Sequence, residues 1–186
     1  MTAREKPQSE KTEMKNALRE NVKTFIWAAI IAVLIRSLLF QPFNIPSSSM
    51  KPTLLIGDFL FVTKFSYGYS RHSFPFSPNL FSGRMVADVP ERGDVVVFKL
   101  PSDGRTDFIK RVIGLPGDKI QIKSGVVWLN GAPLKRERLS DFEDLRRNAP
   151  PVEIRRYRET LPSGRSYITV DQMDNSPADN TGIYEV

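Results

Sequence analysis

The sequence predicts a mostly-β domain carried on one N-terminal transmembrane helix. Three observations carry that reading. A single long apolar run stands at residues 25–40, FIWAAIIAVLIRSLLF. After it come short runs rich in β-branched and aromatic residues, separated by Gly, Pro and Asn turn signals. The chain has 186 residues, 40% of them hydrophobic and 26% charged, which suits one ordinary globular domain plus an anchor.

The apolar run spans about 24 Å as a helix at about 1.5 Å per residue, slightly less than a bilayer core of about 30 Å. Thr24 and the flank Gln41-Pro42-Phe43 can lengthen it, and Arg36 near its far end can reach toward headgroups. The same run also fits a buried helix of a soluble protein or a cleaved signal peptide, but no small-x-small cleavage site follows it. Arg4, Lys6, Lys11, Lys15, Arg19 and Lys23 precede it. Positive charge favours the cytoplasmic side. The expected organisation is therefore a cytoplasmic basic flank at 1–23, a transmembrane helix at 24–41 and an extracytoplasmic domain at 42–186.

Pro42 and Pro46 discourage helix beyond the membrane, which leaves residues 45–58, IPSSSMKPTLLIGD, on an extended or turn segment. Strands are expected at 58–64 (DFLFVTK), 94–100 (DVVVFKL) and 107–113 (DFIKRVI). Residues 119–123 and 126–130 flank Ser124-Gly125, a two-residue hairpin signal. Leu115-Pro116-Gly117-Asp118 reads as a turn with Pro second and Gly third, and Asn130-Gly131 as another. Two further strand-like runs are 152–158 and 166–170. Residues 66–85 read as an insertion whose Phe74, Phe76 and Phe81 touch either the bilayer surface or their own domain. Residues 140–151, charged and ending Pro-Pro, read as a solvated connector.

Composition narrows the chemistry. With no cysteine, disulfides, thiol catalysis and cysteine-built zinc sites are excluded. A net charge of +6 fits an anionic membrane surface as well as nucleic acid, and no basic helix interleaved with aromatics favours the latter. Three consecutive serines, Ser47, Ser48 and Ser49, invite a nucleophile, which needs a base. His72 is the only histidine and sits in the Ser/Pro/Phe insertion, so a Ser-His-Asp triad is disfavoured. A lysine can serve if burial brings its pKa toward neutrality. In a strand, Phe108, Lys110 and Val112 share one apolar face, whereas Lys64 and Lys99 lie at strand ends. The pattern favours Lys110, although a solvent-facing strand lysine is the ordinary alternative.

Three segments in this order after an apolar helix, IPSSSMKPTLLIGDFLFVTKFSYG, RGDVVVFKLP and DFIKRVIGLPGDKI, closely resemble type I signal peptidase, the bacterial leader peptidase. The resemblance is strong over residues 20–134 and weaker through 158–167 (RETLPSGRSY). It implies a signal-peptidase-like β-domain and a membrane-bound serine endopeptidase that cuts signal peptides from exported preproteins with a Ser/Lys dyad. In the Pro-Ser-x-Ser-Met motif, the serine before methionine is the nucleophile, here Ser49. The serine two residues earlier, here Ser47, supplies an oxyanion hydroxyl alongside the Ser49 backbone N–H, and Ser48 is a spacer. The general base falls on Lys110. Walls of the pockets for small side chains fall on Phe43, Ile45, Pro46, Met50, Leu54, Leu60, Val97, Phe108 and Ile109. The resemblance implies no metal and no cofactor. The implied partners are preprotein signal peptides and the phospholipid membrane, with no nucleic acid. The implied location is the inner membrane, single-pass, with the peptidase domain in the periplasm.

One family motif, Gly-Asp-x-Arg-x-x-Ser-x-Asp-Ser-Arg, is not found. Residues 174–180, DNSPADN, echo it without its Gly-Asp and Arg, and read as a polar turn. On that ground the domain is expected to be C-terminally truncated, as a shortened reading frame or a fragment. A catalytically impaired relative acting as a non-enzymatic membrane-anchored β module is the alternative. The self-cleaving repressor peptidases also use Ser/Lys, but they carry a DNA-binding helix-turn-helix where this chain has an apolar helix.

Overall fold

The computed structural model describes residues 6–74, 77–79, 81–86, 88–145, 150–173 and 176–186, with side chains from residue 12 onward. Arg4, Phe76, Asp174 and Asn175, which carried parts of the sequence reading, lie outside the described residues. The elements in chain order are α1 (Lys6–Leu38), β1 (Phe40–Asn44), β2 (Phe59–Thr63), β3 (Tyr69–Ser70), a short 3-10 turn (Arg71–Ser73), β4 (Arg84–Met85), β5 (Val95–Lys99), β6 (Asp107–Arg111), β7 (Lys119–Lys123), β8 (Val126–Leu129), β9 (Ala132–Pro133), β10 (Lys135–Asp144), β11 (Val152–Thr160), β12 (Ser166–Asp171) and β13 (Tyr184–Glu185). Mostly β with one N-terminal apolar helix is the expected class. β1 and β2 pair in a two-stranded sheet. The chain divides into two compact units, residues up to 42 with 61–88, and residues 43–60 with 89–186.

In the first unit, one stretch of α1, Thr12–Leu38, is long and apolar enough to cross a membrane. The helix stops at Leu38, and Phe40, the last residue of the apolar run, and Gln41, in the flank expected to lengthen the helix, are strand residues. The carbonyl of its last residue and the one just past it meet donors from the same unit. The Tyr69 hydroxyl donates to the Leu38 carbonyl at 2.9 Å, and the Lys64 N–H donates to the Leu39 carbonyl at 3.0 Å. The 66–85 insertion holds β3 paired with β4, and Phe74 meets Phe81 edge-on at 6.2 Å. Gly68 is required there, because a Cβ would lie 2.3 Å from the Val86 carbonyl oxygen.

In the second unit, alternation of apolar and polar residues yields three antiparallel sheets: β5–β6, β13–β7–β8–β9 and β10–β11–β12. Leu129, Leu134 and Leu161 form the core, with Ile113, Ile120, Val127 and Tyr167 packed against it. Ser124 and Gly125 both have positive φ, 48° and 72°, as a tight hairpin demands. Residues 140–144, read as part of a solvated connector, instead complete the ten-residue β10, and Asp144 at its end is buried. The correction has a physical cause: β10 is charged on its solvent face, so composition hides a strand whose backbone is held by pairing with β11. The polar 176–180 stretch does form a turn, with Asp179 N–H donating to the Ser176 carbonyl at 2.9 Å. It clasps the β7–β8 hairpin through Ser124 N–H to Asn180 Oδ1 at 3.0 Å.

Asp118 ties three segments. It accepts from Arg92 at 2.7 Å, from the Leu115 N–H at 2.6 Å and from the Asn130 side-chain amide at 2.8 Å. These donors, Arg92 foremost, hold its carboxyl well below the usual carboxylate range. A depressed pKa stabilises the fold above the unfolded value of about 3.9, and that contribution disappears as pH falls toward the folded value. Asp118→Asn is therefore expected to lower Tm at pH 7, and the gap to wild type should narrow below about pH 4. Thermal melts across pH check this; a gap independent of pH would remove the charge from the explanation.

Candidate active site

The serine loop lies in the second unit and is pinned at both ends. Ile45 and Met50 are 2% and 8% exposed, whereas Ser47, Ser48 and Ser49 between them are exposed. Ile45 donates its N–H to the Asp58 carbonyl at 2.9 Å and accepts from the Gly57 N–H at 2.9 Å. The return segment is tightened by Leu54 N–H to the Met50 carbonyl at 3.0 Å and by Leu55 N–H to Asp58 Oδ2 at 2.8 Å. Within the loop, Lys51 N–H closes a turn onto the Ser48 carbonyl at 3.0 Å.

Lys110 comes from β6. Its Nζ lies 2.6 Å from Ser49 Oγ and donates to the carbonyl of Ile109 at 2.9 Å. The Phe108 ring sits beside the amine, 5.2 Å to its centroid. Among the described residues no carboxylate pairs with Lys110. Ser47 Oγ is 3.3 Å from Ser49 Oγ. Two residues 61 positions apart in the chain, Ser49 and Lys110, thus meet at hydrogen-bond distance, with a second hydroxyl beside them.

Other candidate bases are engaged elsewhere. Lys99 Nζ pairs with Asp107 at 2.8 Å and donates to the Arg105 carbonyl at 2.7 Å. Lys64 Nζ donates to the Ser73 carbonyl. His72 Nδ1 meets Ser77 Oγ at 3.2 Å, and its Nε2 accepts from Arg71 at 3.3 Å.

The residues expected to wall the substrate pockets all lie in the second unit. Ile45 and Met50 are buried, Pro46 is exposed, and Phe43, Leu54, Leu60, Val97, Phe108 and Ile109 are half-buried. Register divides two groups. Val96 opposes Lys110 and Phe98 opposes Phe108, so these four share a face of the β5–β6 ribbon. Val97 opposes Ile109 on the other face.

Two neighbours of the site escaped the sequence reading. Lys51, two residues past Ser49, forms an ion pair with Asp144, and both side chains are nearly buried, 9% and 6% exposed. Arg111 donates to the Gly93 carbonyl at 2.7 Å and stacks over the Tyr167 ring at 5.1 Å. Burial, then the Glu159 carboxylate that accepts from the Tyr167 hydroxyl at 2.7 Å, pushes that phenol well above its ordinary value. No spacing rule links Lys51 to a residue 93 positions away.

Fold and site define a β-rich protein, with one apolar helix of membrane-spanning length, that sets a serine hydroxyl against a lysine amine. The family described as signal peptidase, peptidase S26, matches residues 18–179. A signal peptidase I from Rickettsia typhi is 39% identical, covering 94% of this chain and 68% of that protein. Those of Rickettsia conorii and Rickettsia akari are 41% and 45% identical, covering 86% and 75% of this chain. The chain spans 59% and 52% of those two relatives. It belongs to the signal peptidase family, a family of serine peptidases, and within it to the type I signal peptidases.

Breaking one side of a buried ion pair strands the other charge, at about 3–5 kcal/mol. Lys51→Met or Asp144→Leu alone is expected to lower unfolding stability by about that amount. The double variant should recover most of it, so a double-mutant cycle by chemical denaturation checks the coupling. Additive losses would show that the two side chains act independently.

Proposed function

We propose that this chain is a membrane-bound serine endopeptidase that cleaves signal peptides from exported preproteins, with Ser49 as nucleophile and Lys110 as general base. The observation that carries the reading is the 2.6 Å approach of Lys110 Nζ to Ser49 Oγ. Neutral Lys110 takes the hydroxyl proton as Ser49 Oγ attacks the scissile carbonyl. The same nitrogen then protonates the leaving amine, and water releases the acyl group with the roles repeated. The Lys110 N–H bond to the Ile109 carbonyl orients the amine and leaves its lone pair for Ser49. Ser47 Oγ and the Ser49 backbone N–H stabilise the oxyanion, worth about 2.7–4 kcal/mol for a donor removed. The half-buried apolar residues around the loop form pockets for small side chains before the cut.

On cleavage of a preprotein ending Ala-x-Ala, Ser49→Ala and Lys110→Arg are both expected to fall to background, because arginine keeps its proton. Ser47→Ala should lower kcat by about 10²–10³. His72→Ala should cleave at the wild-type rate. A near-wild-type rate in Lys110→Arg would assign the base to another residue, and a large loss in His72→Ala would restore a histidine mechanism.

The helix spans the inner membrane once, with its basic flank in the cytoplasm and residues from 42 onward outside; Lys15, Arg19 and Lys23 before the apolar stretch support this orientation. Protease added to spheroplasts is expected to digest the domain after residue 42 and spare the basic flank. The reverse digestion pattern would refute the orientation.

A further inference from the structure

The first unit holds a hollow that neither Ser49 nor Lys110 lines. Ala32, Ile35 and Arg36 on one stripe of α1, with Phe40, Pro42 and Phe61, line this hollow of about 660 Å³. That volume is in the range of small-ligand sites, about 300–1,000 Å³. Arg36 is the sole charge in the lining, and no carboxylate lines the hollow. Among the described residues Arg36 makes no hydrogen bond or ion pair, although it lies within the stretch of helix suited to a membrane. An arginine at that depth normally finds an anion or a carbonyl.

A second cation stands close by. The Lys64 N–H meets the Leu39 carbonyl one helical turn beyond Arg36. Burial and then the Arg36 charge hold the Lys64 ammonium below its ordinary range. Lys64 Nζ uses one hydrogen on the Ser73 carbonyl and has two more to offer. The negative end of the α1 dipole, which would repel an anion, is met by Tyr69 and Lys64 donors.

We infer that this hollow binds an anionic phospholipid, with the headgroup phosphate between Arg36 and Lys64 and an acyl chain against Ile35, Phe40, Pro42 and Phe61. Two cations favour a net negative headgroup over a zwitterionic one. The apolar lining favours an attached chain over free phosphate. The site needs no cleavage activity, but it rests on the proposed insertion of α1 in a membrane.

The test is native mass spectrometry of the full chain in detergent with equal amounts of phosphatidylglycerol and phosphatidylcholine carrying the same acyl chains. Wild type should retain phosphatidylglycerol preferentially. Arg36→Gln and Lys64→Gln should each reduce that preference about tenfold, the loss of one charge-assisted contact. Arg36→Lys should keep it, which decides the matter even if the neutral variant fails to fold. Equal retention of both lipids by wild type would overturn the site. An equal loss in Lys15→Gln or Lys23→Gln would overturn it too, because the attraction would be diffuse. Displacement by millimolar inorganic phosphate would reduce it to a headgroup contact. Displacement by an apolar signal peptide would assign the hollow to substrate.

Discussion

Burial of Ile45 and Met50 on either side of the serine loop is the constraint on which the site depends. Three hydroxyls stay in solvent because their apolar neighbours do not. The Ile45 backbone is held in both directions, by the Asp58 carbonyl and the Gly57 N–H, so the loop cannot slide along the chain. On the opposite side Lys110 is fixed by the register of β5 and β6, where Val96 faces it. The short Ser49–Lys110 distance is the meeting of two segments, each independently immobilised. A loop held at one end only would spread the serine over several positions and weaken any chemistry that needs it in line.

Charge is organised inside the second unit as well as on its surface. Glu159 is 4% exposed and is met by Tyr167, Thr169 and the Arg136 guanidinium. Asp171 receives Arg155 at 3.3 Å and Arg136 at 3.8 Å. The Arg136 guanidinium carbon also lies over the Tyr157 ring, 3.6 Å from its centroid. The arginines of β10 and β11 thus serve the sheet that contains them. A net charge of +6 read from composition alone does not reveal this division of labour.

Most strands were readable in the sequence because their side chains alternate and their turns carry Gly, Pro or Asn. β5, β6, β7 and β8 fall within a residue or two of the expected runs. β1 was hidden because Phe40 continues an apolar run whose length suits a membrane, and Pro42 interrupts any strand pattern. The end of β10 was hidden because Phe142, Glu143 and Asp144 are paired by backbone past a break in register at Ser140 and Asp141, while the side chains around them look like those of a linker. Pattern favoured Lys110 only weakly, and the family resemblance separated it from Lys64 and Lys99. The approach of Lys110 to Ser49 and the Lys51–Asp144 pair are long-range contacts, which local periodicity does not encode. Phe98 lies on the Lys110 face by strand register, a fact available only once β5 and β6 are paired.

The exposure of Ser47, Ser48 and Ser49 has a consequence for how reaction and recognition are linked in the proposed peptidase. Among the described residues none roofs the hydroxyls, which are exposed, so the dry surroundings that strengthen electrostatic catalysis have to arrive with the substrate. A polypeptide laid across the loop is at once reactant and lid. A snug chain expels water from the amine and the oxyanion donors together. A bulky residue beside the scissile bond props the chain away and leaves both solvated. Discrimination then appears in the chemical step more than in affinity, and a poorly matched chain can sit on the enzyme without being cut.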